Sequence, residues 1–557
     1  MMKIIALLTF VQLFFFLTNQ LTGQTTVGLL QHDIGTLDDG YVLFAPNTSI
    51  NTYLIDKCGY QVKTWPSSYK PGQSAYLLSD GTLFRTGNVG NTTFMAGGQG
   101  GIVEKIDWNG NVTWSYLLSD ANNCQHHDAK VLPNGNVLII AWELKTDAEA
   151  IAKGRNPALV PTTIWSEQIL EIQPIGTNGG TIVWEWHLWD HLEQNFDQTK
   201  ENYVASISNP DLLDINYNAS ATTEDWIHLN SIDYNSQLDQ ILISAHNMDE
   251  IYIIDHSTTA IQAASHSGGN SGKGGDFLYR WGNPQVYNHG STSDQKLFGQ
   301  HNARWIETGL PYENNIMIFN NGLARPGGAY STVEIINPPI NGTTYSATTL
   351  PFLPAASAWS YNEGNPNSFY SMNISGAQQL SNGNVLVTSG TNGHFIEVDS
   401  NGTKLWEYVN PVKATGIIAQ GTSATQNTVF RSTFYPSNYT GFSGHNLTAT
   451  SILENTNEVS DSCQLILTNG IIELNESEFF RLFPNPANNT FTISLNTNES
   501  GKVELFNQLG ELILAKDYFS SSIQNIDVSN LNDGIYLVKF QNEKGSLQTQ
   551  KLMIQKE

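Results

Sequence analysis

The feature that most constrains this chain is a strand pair that recurs along it: an alternating hydrophobic strand, a Gly-containing turn, and a second strand that ends in an aromatic residue. It reads YLIDKCGYQVKTW from Tyr53 to Trp65 and EKIDWNGNVTW from Glu104 to Trp114. Further copies run Glu171 to Trp184, Ile251 to Trp281 with a long Gly/Ser insertion, Val333 to Tyr345, and Glu397 to Trp406. A second hairpin signal precedes several of them, as Leu78 to Leu83 (LSDGTL), Leu132 to Val137 (LPNGNV) and Leu380 to Val385 (LSNGNV). Asp-Gly and Asn-Gly accept the positive φ that tight hairpins need. Two hairpins per unit make about four strands, which is one propeller blade. Six units with no long helical period predict an all-β chain whose residues 24–453 form a six-bladed β-propeller. A pair of β-sandwiches is the competing architecture.

Charge removes several function classes. Lys and Arg total 26 against 51 Asp and Glu, a net charge of -25, which repels a nucleic-acid backbone and an anionic leaflet alike. No Gly-x-x-x-x-Gly-Lys-Ser/Thr run is present to cradle a nucleotide donor. Lys3, the apolar run Ile4 to Leu17 and the small residues Thr22 and Gly23 before Gln24 read as a signal peptide over 1–23. That run is short for a spanning helix, and no later stretch approaches the roughly twenty apolar residues a bilayer needs, so a soluble, exported mature protein is expected. Of Cys58, Cys124 and Cys463, an oxidising compartment would allow Cys58 to pair with Cys124.

Past residue 453 the texture changes. Residues 454–478 open with the polar run ENTNEVSDSC and read as a linker, and 479–557 hold alternating strands such as Thr490 to Leu495, Lys502 to Phe506 and Gly534 to Phe540, enough for a small β-sandwich. Leu482-Phe-Pro-Asn-Pro-Ala487, Leu505 to Gly510 (LFNQLG), Leu531 to Val538 (LNDGIYLV) and Lys551 to Gln555 (KLMIQ) closely resemble the type IX secretion C-terminal sorting domain. The resemblance implies that the secretion machinery is a partner and that the protein is secreted or attached to the outer-membrane surface.

Candidate chemistry lies in the inner hairpins. His127 stands five residues before Leu132, His301 five before Ile306 and His228 five before Asp233, with Gln73 and Ser375 at the same place in other units. Equivalent positions on innermost strands converge on the propeller axis, so three imidazoles are expected to meet there. Three histidines and a water would also suit zinc, which stays open as an alternative. His187 and His191 have i, i+4 spacing but no evident third ligand, and Ser265 to Gly275 is Gly-rich without the strand-to-helix setting of a phosphate loop. That segment reads as a flexible loop whose Lys273 is free to meet an anionic substrate.

The segments Asp225 to Asn230 (DWIHLN), Gln300 to Arg304 (QHNAR), His126 to Asn136 (HHDAKVLPNGN), Phe319 to Gly322 (FNNG) and Trp406 to Pro411 (WEYVNP) resemble the channel motifs of the arylsulfate sulfotransferase family over residues 45 to 440. The resemblance implies a six-bladed propeller and transfer of a sulfuryl group from a phenolic sulfate to a phenol through a sulfated histidine, with no cofactor. On it, His301 matches the nucleophile, while His228, Asn230 and His127 match groups around the sulfate. His126, Asn321, Arg325 and His394 are further candidates for substrate contact. The family places an arginine after the hairpin that follows the DWxHxN motif; here Ile243-Ser-Ala-His246 puts a histidine there. That exchange keeps a second function in view, a non-catalytic surface propeller that binds sulfated aromatics or glycans.

Overall fold

The computed structural model describes residues 26–346, 350–363, 369–454, 463, 480–495, 500–508, 510–518, 523–542 and 547–556. The chain divides into two compact units, Met1–Gln464 and Leu465–Glu557. This division falls within the expected linker; the expected signal segment lies outside the described residues, as does the linker apart from Glu454 and Cys463.

Among the described residues of the first unit, six antiparallel sheets carry the repeat units, five of them with four strands and one with five. The first blade is closed by strands from both ends of the propeller: Val429–Pro436 pairs with Gly40–Pro46, followed outward by Asn51–Asp56 and Gln61–Pro66. Blades two to five begin on Lys70–Leu77, Asn123–Val131, Leu229–Asn235 and His301–Trp305. The sixth runs from Gly376–Gln379 out to Lys404–Val409, with Gly28–His32 added at its edge.

Strand alternation shows how the ring closes. In blade three, Leu138 and Ile140 pack toward blade four with Ile232 and Ile241, while Val137 and Ile139 pack toward blade two with Phe84 and Val103. Ile316 and Ile318 face blade four, Met317 and Phe319 face blade six, and Phe395 and Trp406 meet Val42 and Phe44 of blade one. Leu43 and Leu54 complete the circuit against Leu77 and Leu83 of blade two. A two-residue period thus gives each blade two apolar faces, and six interfaces return to the start.

The aromatic residue on each outer strand has a matching task. The indole N–H of Trp65 donates to Asp107 O at 3.1 Å, Trp114 to Gly179 O at 2.9 Å and Trp184 to Thr258 Oγ1 at 3.1 Å. Trp281 donates to Pro354 O at 2.9 Å, Trp359 to Ser400 O at 2.8 Å and Trp406 to Lys57 O at 2.6 Å. Each bond reaches the next blade, so one residue type buries an apolar body and satisfies an oxygen across every seam, a backbone carbonyl in five and the Thr258 hydroxyl in the sixth. The fifth copy corrects the sequence reading. Its outer strand is Trp359–Tyr361, whereas Tyr345 belongs to a small ribbon, Ile340–Asn341 with Thr344–Tyr345, inserted ahead of it.

The cysteine pairing also differs. Cys58, in the outer turn of blade one, is bonded to Cys463, and Cys124 is a free thiol buried among Phe94, Trp142 and Trp165. Cys124 sits on the innermost strand of blade three, so its side chain packs at the wall of the ring and cannot face an outer turn of blade one.

The second unit is a sandwich. Phe480–Phe483, Thr490–Leu495 and Ile523–Asp527 form one sheet; Leu512–Tyr518, Gly501–Phe506, Gly534–Asn542 and Leu547–Ile554 form the other. Phe491, Ile493, Val503, Leu505, Val538, Phe540 and Leu552 share one core. Among the described residues no helix is long and apolar enough to cross a membrane.

Candidate active site

A cavity of about 440 Å³ opens at the starting ends of the innermost strands, and each blade contributes a residue to it: Thr428, Gln73, His127, His228, His301 and Ile374, in order from blade one to blade six. His246, from the turn after the second strand of blade four, makes a fourth imidazole. Local backbone explains the convergence. Gln73, His127 and His228 have φ of 113°, 49° and 59°, Ser375 has 88°, and in blade five the left-handed residue is Asn302, beside His301. The inner strand pairs slip register at these places, between Pro71 and Ala75, Leu229 and Ser231, and His301 and Arg304 among others. A bulge of this kind redirects a side chain out of the sheet, here into the pore. Gly98 leaves room for one of them, since a Cβ there would stand 1.8 Å from His127 Cε1.

The rings form a chain, with centroids 4.6 Å apart for His127 and His228, 5.3 Å for His228 and His246, and 5.3 Å for His246 and His301. Their partners set different proton states. Asn321 donates its amide to Ser371 O and Ile374 O, which turns its Oδ1 toward His301 Nδ1 at 2.9 Å. His301 therefore carries its proton on Nδ1 and keeps a lone pair on Nε2, which accepts from the Ile374 N–H at 3.2 Å. Burial, with the neighbouring His246, holds His301 well below the ordinary imidazole range. His246 is fixed likewise: Asn247 donates to Asp225 O and accepts from His246 Nδ1 at 2.7 Å. Burial and the charge on His228 push it down to about 4.

His228 is the exception. Burial disfavours its charge, but Asp225, whose Oδ2 lies 2.6 Å from Nδ1, outweighs this and raises it. Within the cavity His228 is thus the imidazole whose charged form is favoured, while burial favours the neutral form of His127, His246 and His301. His127 Nδ1 lies 2.8 Å from His126 Nδ1, and His126 Nε2 lies 2.9 Å from Glu167 Oε2. Below them Arg431, from the closing strand, donates to Asp128 Oδ2 and Tyr76 Oη at 2.9 Å and to Asn230 O at 3.2 Å.

The remaining sequence candidates lie outside the cavity wall. Asn230 Nδ2 donates to Gln300 O at 2.7 Å, tying blade four to blade five, and His126 stands fully buried behind His127. Arg325 stacks over Phe298 and Tyr330. His394 is 2.6 Å from Glu407 in blade six. Lys273 pairs with Asp211 at 2.8 Å, and its loop is held by bonds such as Ser271 N–H to Asp255 Oδ2 at 2.8 Å. His191 bonds Asp276 and Ala263 O, while His187 bonds Glu143, so the two share no ligand site. Sequence reasoning gave no role to Asp225, Glu167, Ile374 or Arg431. Only Asp225 left a signal, three residues before His228 within a quoted motif.

A propeller with imidazoles gathered at its pore defines the class, and comparison with known proteins specifies it. The model of the arylsulfotransferase (ASST) family matches residues 45–434, and that of the secretion system C-terminal sorting domain matches 481–555. The chain belongs to the arylsulfotransferase family. It carries a type IX sorting domain that marks it as secreted or held at the outer-membrane surface. A curated relative, the endo-acting ulvan lyase of Formosa agariphila, is 31% identical over 74 residues, 13% of this chain and 14% of that protein. Among solved structures, a protein of unknown function from Bacteroides caccae covers 71% of this chain and 98% of its own at 10% identity and a TM-score of 0.38. Virginiamycin B lyase from Staphylococcus aureus covers 69% and 89% at 11% identity and 0.32.

Proposed function

We propose that the protein moves a sulfuryl group from a phenolic sulfate ester to a phenol by way of His301. The observation that carries this reading is that one cavity holds both His301, whose Nε2 lone pair is left free of a proton by the Asn321 contact at Nδ1, and His228, whose charged form the Asp225 carboxylate favours. The Nε2 lone pair attacks sulfur, the S–O(aryl) bond breaks, and the departing oxygen takes the proton of His228 Nε2, a contribution of about 10² to 10⁴ in rate for general acids. In the second half, neutral His228 takes the acceptor's proton, the phenol oxygen attacks sulfur, and the N–S bond breaks. With His246 uncharged at neutral pH, His228 supplies the positive charge facing the sulfuryl oxygens.

Incubation with 4-nitrophenyl sulfate and a phenol acceptor should release nitrophenol and leave acid-labile sulfate on His301, and His301→Ala should abolish both. A second reading, a binder of sulfated ligands without turnover, is favoured by the Ile374 N–H already seated on Nε2. Tight binding of 4-nitrophenyl sulfate with no nitrophenol released between pH 5 and 8 would decide for it.

A further inference from the structure

Behind the cavity wall lies a row of three groups that the transfer scheme does not use. His127, His126 and Glu167 are joined by contacts of 2.8 and 2.9 Å and are 2%, 0% and 0% exposed. The His126 ring lies flat on Trp142 with centroids 4.0 Å apart, and Glu167 Oε1 accepts from the Leu229 N–H at 2.8 Å. The rings are therefore held in place, and only protons can move. Between two neutral imidazoles, a Nδ1 to Nδ1 contact contains one proton, and so does the contact from His126 Nε2 to the carboxyl group. These two conditions link the ends of the row. With Glu167 protonated, His126 must carry its proton on Nδ1 and His127 on Nε2, where it faces the cavity as a donor. With Glu167 ionised, His126 holds Nε2–H, His127 holds Nδ1–H, and the cavity meets a lone pair. The second state is the first less one proton: it leaves from His127 Nε2, and the two inner protons each shift one place toward it.

We propose that Glu167 is a positioning residue that sets His127 as a neutral hydrogen-bond donor to the sulfonate-type oxygens of the ligand, and that its ionisation withdraws this donor. The proposal rests on the reading of the cavity as a site for aryl sulfates. Burial holds Glu167 well above the ordinary carboxyl range, and burial together with the neighbouring imidazoles holds His126 and His127 well below theirs, so the donor state is the resting one. The charged and titratable groups around the row are His228 with Asp225, His246, and His301; the Asp128 carboxylate is taken by Arg431 and Tyr76. His228 loses its own proton as pH rises, so ligand affinity in the wild type should depend on two ionisations and in a locked variant on one.

Glu167→Gln is that variant. Its carbonyl must accept from Leu229 N–H, which aims its NH₂ at His126 Nε2 and fixes His127 in the donor state. Benzenesulfonate is a suitable probe because its C–S bond cannot transfer. Calorimetry from pH 6 to 9 should show wild-type affinity falling with a slope approaching two protons and E167Q with one, so that the variant gains about tenfold over the wild type for each pH unit in which the slopes differ. Nitrogen-15 NMR of the histidine side chains in the full chain should show His126 and His127 changing tautomer together in the wild type and not at all in E167Q. Equal slopes, tautomers that change at different pH, or a wild-type His127 that keeps one tautomer up to pH 9 would overturn the proposal. The wild-type spectrum decides this even if E167Q does not fold. Coupled tautomers without benzenesulfonate binding would sink the sulfate-ester reading and leave the Glu167 linkage standing.

Discussion

The rim and the mouth of this propeller follow opposite rules. At the rim, all six seams are closed by the same device, a tryptophan whose indole reaches the next blade. At the mouth, the six blades in turn present Thr, Gln, His, His, His and Ile to the cavity. Repetition survives where every blade has the same task, and it is broken where each must do something different. The histidines divide in the same way. His256, between Asp239 and Glu171 on the outer part of the ring, is subject to burial that lowers it, yet its two carboxylates raise it to about 9; His246, at the mouth, is pushed down to about 4. A carboxylate partner makes a structural cation, and only His228 is given one inside the cavity.

The sharpest test of the contrast is to make the mouth uniform. Asp225→Asn should leave His228 to burial alone, neutral at pH 7. Turnover of esters of weakly acidic phenols should then fall about a thousandfold, with the alkaline limb of the pH–rate profile moving to lower pH. At the rim, His256→Gln should cost about 3 kcal/mol. The sign follows from the raised value: the contribution is complete below the ordinary imidazole pKa of about 6.5 and fades as pH rises through about 9. Urea titrations at pH 6 and 9.5 should show the deficit only in the first. Replacing one rim tryptophan, Trp406→Phe, removes one bond and should cost about 1 kcal/mol, with Trp65→Phe and Trp114→Phe close to it. Widely different values would deny that the seams are equivalent. The smallest effect is expected of His246→Gln, which should leave the pH–rate profile unchanged above pH 5, because His246 titrates at about 4.

These two regions also explain what the sequence could disclose. Hairpins and rim aromatics are local and repeated, so five of the six outer strands were legible; the fifth unit misled because Tyr345 copies the pattern inside an inserted ribbon. Equal spacing from a turn brought His127, His228 and His301 to one cavity, as register on equivalent strands should. Closure was not legible, since Val429–Pro436 pairs with Gly40–Pro46 across most of the chain. Neither was the tie from Glu167 to His126, because pairing between side chains on separate strands leaves no period. Arg325 and His394 were candidates for substrate contact as polar donors, but one stacks on aromatic rings and the other meets Glu407.

The sulfur bridge from Cys58 to Cys463 spans 405 positions and encloses nearly the whole ring. A protease that trims the chain after Cys463 would shed the terminal module cleanly. One that cut between the last blade and Cys463 would leave that module leashed to blade one until a reductant arrived, so the place of trimming decides whether release is a matter of proteolysis or of thiol exchange.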